Sequence, residues 1–115
     1  MNCPQSKPIT FDATWGERET VFFLLTKYVQ GGGVAIEGVT PSGEPFCSVA
    51  VNIQGSIDED KKDTEFLLDE NNMQKPLVEK MVAEGLIAPV PGRSVKSGFC
   101  TYPVYTVDRS KFTEA

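Results

Sequence analysis

The sequence predicts an α+β domain: an antiparallel sheet of four to five strands with one helix packed on one face. Three observations carry this. Two β-branched and aromatic runs, Val34–Thr40 and Phe46–Ile53, flank Pro41-Ser42-Gly43-Glu44-Pro45, which is turn chemistry. A single segment, Pro76–Glu84, carries an apolar stripe at helical spacing. The remaining apolar runs are short, and strands joined by short turns pair antiparallel. The expected order is β-β-β-β-α-β.

The chain has 115 residues, 40% hydrophobic and 23% charged, which suits a single domain over residues 1–115. Residues 1–15 read as loosely ordered. Within them Ile9–Asp12 suits a short strand, and Trp15 is expected back on the body because so large an apolar surface gains from burial. Glu19–Gln30 is rich in β-branched and aromatic residues and apolar on both faces, as a central strand requires. Its twelve-residue length without a breaker also fits a helix. Gly31-Gly32-Gly33 ends it and permits a tight reversal. In Phe46–Ile53, period two places Cys47, Val49, Val51 and Ile53 on the core face and Ser48, Ala50 and Asn52 on the other.

Glu65–Asp69 reads as a brief strand. The helix follows, with Pro76 in its first turn, Asn71 and Asn72 upstream as candidate caps, and Gly85 as its left-handed end. Ala88–Gly98 holds two prolines and two glycines and reads as a linker. Phe99–Val107 is the last strand, where Pro103 marks an edge or a bulge. Residues 109–115 read as a frayed tail.

Composition excludes much chemistry. With no histidine, the commonest general base and metal ligand are both missing. Cys3, Cys47 and Cys100 are too few and too scattered for a zinc site or a disulfide framework, which points to reduced thiols in a cytoplasm. The acids near residue 60 lack the loop pattern of a calcium site. No metal, cofactor or enzymatic activity is expected. The longest apolar run, Val21–Leu25, is far short of a membrane span, and the first residues do not read as a signal peptide.

Charge is the distinctive feature. The net charge is −5, and residues 58–70 carry seven acids against two bases, which accounts for all of it. Such a chain suits a basic protein surface better than a phosphate backbone. Asp58, Glu59, Asp60, Asp63 and Glu65 are therefore candidate partner-binding residues. Tyr102 and Tyr105 on the last strand, with Phe99, Arg93 and Lys96 nearby, form a second candidate face. Their opposite parity puts the two tyrosines on different faces of a regular strand.

Several stretches resemble a known family: Gly43-Glu44-Pro45-Phe46, Val49-Ala50-Val51-Asn52, Leu67-Leu68-Asp69-Glu70-Asn71-Asn72, Glu84-Gly85-Leu86 and Ser97-Gly98-Phe99-Cys100-Thr101-Tyr102-Pro103-Val104-Tyr105. They are similar to a domain of unknown function found in small proteins of phages and conjugative elements of gut bacteria, over roughly residues 20–108. The resemblance implies a setting like that of anti-CRISPR genes. It implies a cytoplasmic, non-enzymatic inhibitor of a bacterial defence system. Its partner would be a protein effector with a basic nucleic-acid-binding surface. An accessory protein of plasmid or phage maintenance with weak nucleic-acid contact is the alternative.

Overall fold

A computed structural model describes residues 4–53 and 55–113. The elements are β1 (Ile9–Asp12), β2 (Arg18–Lys27), β3 (Val34–Val39), β4 (Pro45–Ser48), β5 (Ala50–Val51), β6 (Glu65–Leu68), α1 (Lys75–Ala83), β7 (Ile87–Ser97) and β8 (Cys100–Val107). Short 3-10 turns stand at Glu59–Lys61 and Arg109–Lys111. The strands form two antiparallel sheets rather than one, ordered β1-β2-β3-β4 and β5-β6-β8-β7.

The sheets meet at Val49, which is fully buried. Its N–H donates to the Ile36 carbonyl of the first sheet at 2.9 Å, and its carbonyl accepts from Asp69 N–H in the second, also at 2.9 Å. The expected single strand over 46–53 thus changes sheets midway. Period-two parity fails there: Val49 and Ala50 are both buried, whereas Val51 is half-buried. A strand that turns from one sheet to another rotates its side chains, so alternation cannot run through the corner.

The first sheet follows its sequence closely. β2 is central, and Val21, Phe23 and Leu25 alternate into the core. The β3–β4 connection, residues 40–44, is closed by Thr40 N–H on the Glu44 carbonyl at 2.9 Å, with Gly43 at φ +88°, the left-handed position that such loops require. Gly38 has no side chain because none fits: an added Cβ would lie 2.7 Å from Cys47 Sγ. The sheet is strongly curled, since Phe11 of β1 meets Phe46 of β4 edge-on at 5.9 Å.

α1 buries Leu77 and Met81 against the core, with Pro76 in its first turn. It ends as its sequence requires. Gly85 takes φ +76°, its N–H reaches the Val82 carbonyl, and Leu86 N–H reaches the Met81 carbonyl, satisfying two carbonyls the helix leaves open. Its start differs from expectation. Gln74 is the N-cap residue and makes no side-chain capping bond; its Oε1 accepts from Thr14 N–H instead. Asn72 turns back to Asp69.

Three further expectations are corrected. The linker read over 88–98 is β7, the edge strand of the second sheet. Pro89 and Pro91 fit there because an edge strand need not donate on its outer side, and four residues, 90–93, bulge opposite Val104 alone. Trp15 remains 56% exposed, resting only its flank on Phe46. The described parts of the segments read as loose, residues 4–15 and 109–113, are held: Ser6 N–H bonds to the Phe23 carbonyl, and Gln5 and Thr113 exchange both backbone bonds. Phe112 is buried. Cys3 and residues 114–115 lie outside the described residues.

Candidate interaction surface

The acidic stretch does not form one patch. β6 runs through it, so Asp58–Asp63 precede the strand while Asp69 and Glu70 follow it, about 13 Å away along four extended residues. Before the strand the chain winds into the 3-10 turn Glu59–Lys61, with Asp58 at the N-cap position and its side chain making no capping bond. Side chains 58, 59 and 63 are mostly exposed, and Asp60 is exposed at the turn itself.

This turn is anchored on the β2–β3 hairpin. Lys62 Nζ donates to the Gly31 carbonyl and to Glu59 Oε1, each at 2.7 Å. Lys27 stands 3.8 Å from Asp63, and Arg109 donates to the Asp63 carbonyl at 2.7 Å. Tyr28 Oη donates to the Ala50 carbonyl at 2.8 Å. Beneath lies a cleft of about 340 Å³ lined by Tyr28, Val51, Ile53, Ile57 and Leu67 among others. The exposed carboxylates thus ride on a segment fixed from both sides.

Glu65 differs from the other four carboxylates. Its side chain is 11% exposed, and both its oxygens accept from Arg93 Nη1, at 2.7 and 2.9 Å. The β7 bulge is what brings Arg93 to it.

The two tyrosines occupy opposite faces of β8, as parity requires. Tyr102 pairs with Val95 in the outer half of the β7–β8 hairpin. Tyr105 sits between Phe66 and Pro89 in register, with its ring 6.2 Å from that of Phe66. Burial, reinforced by the Glu70 charge, raises the Tyr105 hydroxyl above its usual pKa. Tyr105 also lines a groove of about 620 Å³ with Leu68, Met73, Val78, Val82 and Pro89, rimmed by Glu70, Lys75 and Glu79.

The sequence sets Phe99 at the start of the last strand, and the structure puts it instead in the turn between β7 and β8. β6 pairs with β8 from Glu65–Thr106 up to Leu67–Val104, so residues 94–103 extend past it as a two-stranded arm. Gly98 at φ +62° makes the two-residue turn, and Phe99 beside it is 108% exposed, as bare as in an extended peptide. The Ser97-Gly98-Phe99-Cys100 step was the available signal, since Gly-X between two strands reads as a hairpin turn.

Among the described residues, no group of three or more cysteine or carboxylate side chains is placed to hold a metal ion. Cys47 is half-buried, and burial with the Glu37 charge pushes its thiol up to about 11, which leaves it protonated and unreactive near neutrality. No helix among them is long and apolar enough to cross a membrane.

Fold and surface together define a small, mainly antiparallel α+β protein with an ordered acidic turn at one end and an aromatic-tipped arm at the other. The chain belongs to the family described as domain of unknown function DUF4313, whose model matches residues 23–115. β1, which packs beside α1, lies outside the matched residues. No curated protein and no solved structure matches the chain.

Proposed function

We propose that this protein is a non-enzymatic inhibitor of a bacterial defence system, carried by a mobile genetic element and acting in the cytoplasm. It occupies the basic nucleic-acid-binding surface of a protein effector and so keeps nucleic acid out. The observation that carries this reading is the anchored acidic turn. Asp58, Glu59, Asp60 and Asp63 present exposed carboxylates on backbone already fixed by Lys62 and Arg109. A partner that engages them therefore has little chain to order, and ordering is a main cost of association. Their field steers a basic partner toward the turn.

The test is a four-fold variant, Asp58→Asn, Glu59→Gln, Asp60→Asn and Asp63→Asn, measured against an effector isolated from the host. Association slows several-fold at low salt. The defect shrinks as salt rises, because exposed charges are screened beyond about 8 Å at physiological ionic strength. The bound effector loses its nucleic acid. Wild-type binding by the variant at low salt sinks the reading.

A second reading, an accessory protein of plasmid or phage maintenance with weak nucleic-acid contact, is favoured by the arm, where Phe99 and Tyr102 stand near Lys96. Aromatic faces with a nearby base are what single strands stack upon. Retention of single-stranded DNA by the purified protein at low salt and its release at high salt would support it.

A further inference from the structure

The groove beside α1 and the arm are complementary in chemistry. The groove has an apolar floor of Leu68, Met73, Val82 and Tyr105, and a rim holding Glu70 and Glu79 against Lys75, a net charge of −1. The arm, residues 94–103, ends in the fully exposed Phe99, and Lys96 is its one charged residue, a net charge of +1. An aromatic ring left wholly in water beside a single base is the chemistry that such a groove accepts.

The arm cannot fill its own groove. Phe99, in the turn just before β8, and Tyr105 on β8 lie six residues apart, a separation of about 20 Å along extended chain. The same distance suits a second molecule. Two arms laid antiparallel about a two-fold axis midway along them bring each tip to the base of the other, where the groove opens. We infer that the chain forms a reciprocal dimer in which Phe99 of each copy seats in the groove between α1 and Tyr105 of the other. A two-fold arrangement uses both tips and both grooves and closes on itself. Lys96 then lies beside the partner's acidic rim.

Sedimentation equilibrium of the full chain, from about 1 µM to about 1 mM, reads this directly. A monomer–dimer equilibrium is expected. Phe99→Ser removes both anchors and raises the dimer dissociation constant by at least about 30-fold, as loss of central aromatic anchors does. Its thermal unfolding as a monomer is unchanged, because Phe99 is fully exposed in the single chain. Val82→Glu places a carboxylate at the groove and weakens the dimer similarly; Val82 is exposed on α1, so folding survives. A mixture of the two variants recovers one tip and one groove, and forms a heterodimer more stable than either homodimer. A monomer at every concentration overturns the inference and leaves the groove to another occupant. So does a dimer indifferent to Phe99→Ser, or a mixture no more associated than its components.

Discussion

Two hairpins leave the body of this protein, and they are opposites. The β2–β3 hairpin, turning at residues 28–33, is held by Tyr28 on Ala50, Lys62 on Gly31 and Asn52 on Gln30. The β7–β8 arm carries half-buried Val95 and Tyr102 and a tip open to solvent. Polar side chains from distant segments can immobilise a turn without hydrophobic burial, because each satisfies a carbonyl that would otherwise face water. The acidic surface is thereby ordered before any partner arrives. The arm has its own ladder and little else, which puts it among the segments that open most easily.

The largest expected contrast is in packing. Leu25→Ala, beneath the tethered hairpin, opens a cavity and lowers unfolding free energy by about 2–5 kcal/mol. Val95→Ala in the arm changes it by no more than about 0.5 kcal/mol. Urea titration compares them, and equal losses would mean that the arm is packed against the body.

Next comes the pair at the base of the arm. Arg93→Ala strands the Glu65 carboxylate, which is mostly buried, and costs about 1–3 kcal/mol. Adding Glu65→Gln recovers part of that loss. Strict additivity in the double-mutant cycle would show the two side chains to be uncoupled.

A smaller effect is written into alkaline stability. Burial, with the Glu37 and Asp69 charges, pushes Tyr28 from 10.0 up to about 12, and Cys47 moves from 9.0 to about 11. For both groups the folded state keeps its proton where the unfolded chain has lost it. Their contribution is full below pH 9 and is lost as pH rises through the folded values, across about pH 9–12. Tyr28→Phe also forfeits the bond to Ala50, about 1 kcal/mol near neutrality, and then shows a shallower decline above pH 10. Parallel decline in wild type and variant would remove Tyr28 as its source.

The smallest perturbation is chemical. In native protein at pH 8, Cys100 on the arm alkylates faster than Cys47, whose thiolate is suppressed and whose sulfur sits against Gly38. Mass spectrometry of the timed reaction reads the order, and faster labelling of Cys47 would show that β4 opens more readily than the arm.

Much of this was legible in the sequence where local rules decide. The β3–β4 turn, the strand over Val21–Leu25 and the Gly85 cap follow from glycine freedom, side-chain period and helix termination, which act over a few residues. The two-sheet division was not legible, because residues 46–53 alternate without a break and only tertiary pairing turns the chain at Val49. β7 was missed because Pro89, Pro91 and Gly92 carry the same local signal in a loop and in a bulged edge strand. The candidate charges could be read directly from residues 58–70. Their anchoring could not, since Lys62 and Gly31 are separated by 31 positions. Nor could the inward turn of Glu65, which depends on the bulge that delivers Arg93.

Val49 has a consequence for how the molecule comes apart. Its N–H belongs to one ladder and its carbonyl to another, and its side chain is sealed in the common core. A fluctuation that separates the sheets at this corner strains two bonds that meet at one residue and exposes that core to water. Partial opening here gains little freedom for a large loss, so the sheets have no independent melting route through this corner. In hydrogen exchange the amides of Val49 and Asp69 are slow and respond to denaturant with one common slope, the signature of a single cooperative unit.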